Sequence, residues 1–272
     1  MENSPINGEF MEALYNRIGI GYDETRKADP YIVERFLSFL TPRSEGLYLD
    51  IGCGTGNYTN AFRKEGYRFV GIDPSVAMLE AARTKNQEVE WKVGSAEETG
   101  LEDASVDGIV ASLTLHHWKD LKEGFGEMYR ILKSSGRMVI FTTTPEQTGS
   151  YWLKHYFPQM IEESARQLPS LERVEYLMET AGFSNIMTEN YSVRSDLQDL
   201  FLYSGKHQPG LYLQPEVRRG ISSFSNLANR EEVERGLSRL QEDMESGAID
   251  QVIDDAGNDL GDYLFVIGEK HD

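Results

Sequence analysis

A single cysteine, Cys53, stands in a chain of 272 residues, so no internal disulfide can form, and that usage suits a reducing compartment. Basic residues are scarce as well: 27 Lys and Arg face 45 Asp and Glu, for a net charge of −18. Binding to phosphate backbones needs clustered cations that displace counterions, so this balance argues against a nucleic-acid partner. No apolar run approaches the length of a bilayer span, and residues 1–12 are acidic and polar where a secretory leader is basic and then apolar. These absences predict a cytoplasmic protein without membrane insertion. The pattern G-x-x-x-x-G-K-[ST] is missing, which excludes a nucleoside triphosphate P-loop. The histidines are scattered apart from the adjacent His116 and His117, an arrangement unlike spaced zinc-ligand pairs, so no metal site is expected.

What the chain does have is the run Leu47-Tyr48-Leu49-Asp50-Ile51-Gly52-Cys53-Gly54-Thr55-Gly56, a short apolar strand delivered into a glycine turn. Glycines there let the backbone turn sharply, approach a ligand and present amide N–H groups at the start of the next helix. A dinucleotide fingerprint needs a third glycine at the sixth position of G-x-G-x-x-G, where this chain has Asn57. Asp50 points the same way, because a carboxylate repels a pyrophosphate and attracts the ammonium and sulfonium of S-adenosylmethionine. A second strand ends in Asp73, at roughly the spacing that sets a carboxylate on ribose hydroxyls. Cys53 sits between two turn glycines, where a small residue is required, and no base beside it in sequence marks it as a nucleophile.

Strand and helix alternate through the first half. Helices are predicted at residues 31–40, 58–64, 75–84 and 121–133, the last stopped by Ser134-Ser135-Gly136, with strands at 47–50, 67–73, 89–93, 108–113 and 138–142. Phe10, Leu14 and Ile18 give helical spacing before them. Such alternation means a doubly wound α/β sheet with ligands outside the carboxyl ends of its strands. Residues 171–181 read as an amphipathic helix, and 183–193 and 263–268 as the last two strands. The stretch between those strands is far longer than a hairpin loop of about two to five residues. It is read as an inserted, mostly helical lid at 194–261, with the core at 1–193 plus 262–272; a stabilising appendage is the alternative.

The ordered set D-I-G-C-G-T-G, G-I-D-P-S, G-S-A-E-E and L-H-H-W, within residues 29–141, resembles the class I S-adenosylmethionine-dependent methyltransferases. The resemblance is to their small-molecule branch, which includes the ubiquinone/menaquinone-type enzymes. It implies a Rossmann-like sheet of seven strands with the last antiparallel, and S-adenosyl-L-methionine as cofactor, leaving as S-adenosyl-L-homocysteine. It also implies that Asp50 and the backbone of Gly52, Gly54 and Gly56 hold the methionine end. Asp73 then takes the ribose, Met78 packs beside the adenosine, and Ser95 and Ala96 flank the adenine. The family often has Asp where Ser95 stands, so Glu97 is a candidate replacement on the adenine amine. Ser112 and Leu113 are implied at the amino-acid end, with Tyr22 and Arg26 folding over the cofactor and Arg26 on its carboxylate. Met78 as helix core, Glu97 as a solvated side chain and Arg26 as a surface residue are the plain alternatives.

Methyl transfer from a sulfonium needs mainly proximity, orientation and desolvation. His117 is the candidate base for a hydroxyl acceptor, since an ordinary imidazole accepts a proton near neutral pH; packing of the His116–His117 pair is the competing reading. Tyr151, Trp152, His155, Tyr156, Tyr203 and His207 are candidates for the acceptor wall, although an aromatic stripe at helical spacing is also how a core looks. The expected function is methyl transfer to a small-molecule acceptor at O, N, S or C. Methylation of RNA or protein, disfavoured by charge, and a non-catalytic cofactor-binding scaffold are the alternatives. The sequence sets neither the acceptor nor the oligomeric state.

Overall fold

The computed structural model describes residues 22–271; the spacing of Phe10, Leu14 and Ile18 lies outside them. Seven strands form one sheet: β1 (Leu47–Ile51), β2 (Arg68–Asp73), β3 (Glu90–Val93), β4 (Val106–Ser112), β5 (Leu132–Thr142), β6 (Ser184–Tyr191) and β7 (Tyr263–Glu269). Their spatial order is β3-β2-β1-β4-β5-β7-β6. The first five pair with one another in parallel, and β7 runs antiparallel to both β5 and β6. The order reverses between β1 and β4, and such a switch point opens a crevice at the carboxyl ends of the strands.

Both faces of the sheet are covered, so the central strands read as nearly continuous apolar runs. Side chains alternate between two cores: Val139 and Phe141 of β5 join one, Met138 and Ile140 the other. The first core is closed by α2 (Pro30–Leu40) and α3 (Asn57–Lys64), where Phe36 meets Phe62 and Phe265 edge-on. The second lies under α5 (Leu121–Ile131) and α8 (Leu171–Ala181), through Phe125, Met128 and Met178. The helix starts are set locally. Asp29 accepts from the N–H groups of Tyr31 and Ile32 ahead of α2, and Ser75 accepts from Met78 N–H ahead of α4 (Val76–Lys85).

Two connections leave the sheet and pack on each other above its carboxyl edge. The first follows β5 through α6 (Pro145–Gly149), a 3₁₀ turn at Trp152–His155 and α7 (Pro158–Arg166). The second, between β6 and β7, carries α9 (Pro215–Arg219), a π-helical turn at Ser223–Leu227, α10 (Arg230–Ser246) and α11 (Ile249–Asp255). Tyr151 stacks on Tyr203 with ring centroids 3.9 Å apart, and the indole N–H of Trp152 donates to Lys206 O. Gly236 of α10 lies against Phe157 closely enough that a Cβ would meet its ring at 2.4 Å. A short α1 (Tyr22–Thr25) and residues 26–29 strap across both units. Asp23 accepts from the Thr55 hydroxyl and the Asn57 amide, and Leu200 N–H donates to Thr25 O.

Candidate active site

The glycine turn is anchored from beneath. Gly52 and Cys53 both donate their N–H to Ile72 O at the end of β2, and Gly54 N–H donates to Asp73 Oδ2 at 2.8 Å. All three turn glycines take left-handed backbone, with φ of 71°, 54° and 74°. Their surroundings differ. A Cβ on Gly54 would meet nothing within 4 Å, whereas one on Gly56 would stand 2.3 Å from the Trp91 ring. Gly52 and Gly54 line the cavity at the switch point, and Gly56 does not. Gly56 was expected to touch the ligand; the structure places it outside the cavity, where its missing side chain makes room for Trp91 and starts α3. Cys53 belongs to the same packing, and burial pushes its thiol pKa well up, with Asp50 and Asp73 adding to the effect.

The two carboxylates also part company. Asp73 lines the cavity and accepts from Gly54 N–H and Ser75 N–H, so it ties the glycine turn to the start of α4. Burial raises its pKa against those two hydrogen bonds. Asp50 is 2% exposed and its Oδ2 accepts from the Thr59 hydroxyl of α3 at 2.5 Å. It is not among the residues that line the cavity, where a direct contact was expected. The pleat turns this side chain under α3, behind the turn. Burial lifts the Asp50 carboxyl to about 7, and the neighbouring Asp73 charge pushes the same way.

Met78, Ser95 and Ala96 line one end of the cavity, together with Pro74, Trp118 and Lys119. Glu97 is there too, but its Oε1 accepts from the backbone N–H groups of Lys119 and Asp120, at the entry to α5. Ser112 and Leu113 line the middle, and Leu113 holds a left-handed φ of 52°. A leucine in that region is strained, and such strain concentrates at functional turns; nothing in the sequence marks it. The turn Leu115–His117 follows and brings both histidine rings to the cavity, 3.8 Å apart between centroids. Burial pushes His116 down to about 4, helped by the Arg26 charge, and holds His117 well below its ordinary value, helped by His116. Both are neutral at physiological pH.

Tyr22 opens α1, and nothing is described of its side chain. Arg26 reaches the cavity, where its Nε donates to Asp199 Oδ1 at 2.6 Å and its Nη2 to Oδ2. Asp199 is buried, also accepts from the Tyr58 hydroxyl, and comes from the connection between β6 and β7.

The six residues expected at the acceptor wall lie outside the cavity lining. Tyr151, Trp152, Tyr156 and Tyr203 are buried in the core and absent from the cavity lining, because each ring packs on another and each polar atom has an internal partner. Tyr151 OH donates to Asp262 O, Tyr156 OH donates to Asp243, and Tyr203 OH accepts from Trp152 N–H. His155 is exposed and leans on the Tyr156 ring, and exposed His207 meets Val193 O through Nε2. Neither lines the cavity. The far half is lined instead by Thr143 and Thr148, by Ser164, Gln167 and Leu168 around the end of α7, and by Tyr263. Phe201, Leu202 and residues 220–223, 226 and 227 complete it from the other connection. Ser164 and Ser223 share a hydrogen bond of 2.8 Å across this wall. The π-helical turn at Ser223–Leu227 is an irregularity of the kind common at functional sites, and it left no periodicity to read. Among the described residues, no group of three or more His, Cys, Asp or Glu side chains is placed to hold a metal ion, and no helix is long and apolar enough to cross a membrane.

With this geometry in hand, four likenesses carry weight. A family model described as a methyltransferase domain matches residues 49–140. A solved structure from Anabaena variabilis ATCC 29413, assigned as a methyltransferase from an antibiotic biosynthesis pathway, is 35% identical, with a TM-score of 0.80 over 90% of this chain and 98% of that one. A malonyl-[acyl-carrier protein] O-methyltransferase of Serratia marcescens is 27% identical over 154 residues, which make up 55% of this chain and 60% of the relative's length. A ubiquinone/menaquinone biosynthesis C-methyltransferase of Rubrivivax gelatinosus is 25% identical over 180 residues, covering 58% of this chain and 70% of its own length. The chain belongs to the class I S-adenosylmethionine-dependent methyltransferases. The family's cofactor is S-adenosylmethionine.

Proposed function

We propose that the protein transfers a methyl group from S-adenosylmethionine to a small-molecule acceptor held between the sheet edge and the two packed connections. The observation that carries this reading is the Gly54–Asp73 unit: an open left-handed glycine whose N–H is fixed by a carboxylate that also faces the cavity. S-adenosylmethionine supplies an already activated methyl on a sulfonium. Asp73 has lone pairs left for ribose hydroxyls, Met78, Ser95 and Ala96 suit the adenine, and the backbone of Gly52, Gly54, Ser112 and Leu113 suits the amino-acid end. Asp50 acts at one remove, through its charge and through Thr59, and Arg26 holds the strap closed over the turn while facing the cavity. His117 is the base.

The two connections together form the lid, so its boundary is wider than residues 194–261 and takes in the chain from Thr143 to Leu168. The names of the relatives include methylation at oxygen and at carbon, so likeness alone leaves the acceptor atom open. Incubation of the protein with methyl-labelled cofactor and a metabolite extract tests the reading. Label is expected in a low-molecular-weight product, and label in RNA or protein, or none beyond the cofactor, contradicts it.

A further inference from the structure

Among the described residues, none that lines the acceptor half of the cavity carries a charge. Every lining residue it takes from the chain after β5 is neutral: Thr, Ser, Gln or Asn on one hand, Leu, Ile, Phe, Tyr or Gly on the other. Among the described residues, the charged groups of the cavity, Asp73, Glu97 and Lys119, stand at the nucleoside end, and Arg26 is ion-paired to buried Asp199. A cationic acceptor desolvated here would find no carboxylate beside it among the described residues. An anionic one would find no cluster of cations, and would approach through the field of a chain with net charge −18. Burial of an unpaired charge is costly enough to decide between acceptors of equal shape.

The polar groups that do face this space are hydroxyls and amides. Thr143, Thr148, Ser164 and Ser223 are buried in the wall, while Gln167 and Asn226 are exposed at the rim. Phe201 and Tyr263 form an apolar corner, their ring centroids 4.6 Å apart. Resting on the methyltransferase reading above, we propose that the acceptor is an uncharged molecule with an apolar body that presents a phenolic or enolic hydroxyl to His117 and is methylated at that oxygen.

The proton balance separates such hydroxyls from alcohols. The acceptor O–H bond breaks and its proton goes to an imidazole nitrogen of His117. An oxygen lone pair forms the new O–CH₃ bond, and the S–CH₃ bonding pair stays on sulfur, leaving neutral S-adenosylhomocysteine. The imidazolium then returns its proton to solvent, readily, because burial disfavours its charge. An imidazole takes the proton of a phenol, whose pKa is about 10, more readily than that of a less acidic hydroxyl. An alkanol, close to water at about 15.7, lies too far above it.

Four compounds on one scaffold test the proposal: 2-naphthol, 6-hydroxy-2-naphthoate, 6-(aminomethyl)-2-naphthol and 2-naphthylmethanol. Each is titrated calorimetrically into the protein loaded with S-adenosylhomocysteine and then assayed with methyl-labelled S-adenosylmethionine. The neutral phenol is expected to bind at least about tenfold tighter than either charged analogue and to give the O-methyl ether, while the alcohol binds and does not react. His117→Asn should lower kcat on 2-naphthol by about 10²-fold or more and leave its dissociation constant within threefold. Tighter binding of a charged analogue, failure of 2-naphthol to bind or react, a methyl on nitrogen or carbon, or an unchanged kcat in the variant overturns the proposal. Failure of the protein to take up S-adenosylhomocysteine in the loading step is a different result, and it contradicts the methyltransferase reading itself.

Discussion

The two glycines of the turn that differ by one neighbour should fail in different ways when given a methyl group. Gly56→Ala sets its Cβ against Trp91 at a left-handed φ, so it should lower unfolding stability by about 2 kcal/mol or more. Gly54→Ala keeps the fold at a cost of about 1 kcal/mol from the same backbone strain, but places a methyl where the cavity is open, and should weaken cofactor binding at least tenfold. Thermal melts paired with calorimetric titration separate the two, and equal effects on both observables would remove the distinction. Asp73 combines both kinds of role. Asp73→Ala leaves the N–H groups of Gly54 and Ser75 without their acceptor, so it should cost about 1–3 kcal/mol of stability besides its loss of affinity. Asp50 gives a pH signature. Its folded carboxyl lies at about 7 and its unfolded one near the ordinary 3.8, so the folded state binds the proton more tightly. Its contribution to stability is full below about 4 and is lost as pH rises through about 7. A bound sulfonium favours the ionised form, so affinity for S-adenosylmethionine should rise between pH 6 and 8 more than affinity for neutral S-adenosylhomocysteine, and Asp50→Asn should remove the difference. Equal slopes for the two ligands in the wild type would rule this out. His117, held low by burial and by His116, predicts no ordinary histidine limb in the rate profile above pH 6.

At the level of elements, helices and strands were legible because apolar period and end signals agree. The helix over 171–181 is predicted to the residue, and β2 to within one. The ends that differ have local reasons: β5 begins at Leu132 directly after α5, earlier than Ser134-Ser135-Gly136 suggests, as its first residues pair with the start of β4. The lining of the far half of the cavity was not legible. Tyr151, Trp152, Tyr156 and Tyr203 attract notice as aromatics, but rings of that size are what two packed connections need to seal against each other. The residues that do line the space mix small polar side chains with Leu, Ile, Phe and Tyr and are drawn from separate turns. Deleting 194–261 would uncover those rings, so the lid is better tested at a joint. Buried Glu232 of α10 accepts from Gln159 and Met160 N–H at the start of α7, whose own N-cap, Phe157, supplies no side-chain acceptor. Glu232→Ala should lower unfolding free energy by about 2–3 kcal/mol and Glu232→Gln by less than half of that, read from denaturant melts. A change near zero for both would mean that α10 does not hold α7.

Across the whole molecule, the ordered motifs between residues 29 and 141 carried the family and the sheet, since glycine turns and strand-end carboxylates are local features that one sequence can display. The pairing of the two connections, the burial of Asp50 and the strap from Asp23 to Asp29 are long-range facts with no local signature. The net charge of −18 is the other global property. Raising salt from about 0.02 to 0.3 M should raise the melting temperature, because screening relieves self-repulsion more than it weakens the exposed ion pairs; a fall would show that those pairs dominate. The central claim is that the Gly54–Asp73 turn binds a positively charged nucleoside and no dinucleotide, and calorimetric titration with three ligands reads it most directly. S-adenosylmethionine and S-adenosylhomocysteine should each bind with dissociation constants in the micromolar range, roughly −7 to −9 kcal/mol, while NAD gives no heat of binding; binding of NAD with no response to either sulfur nucleoside would contradict the account.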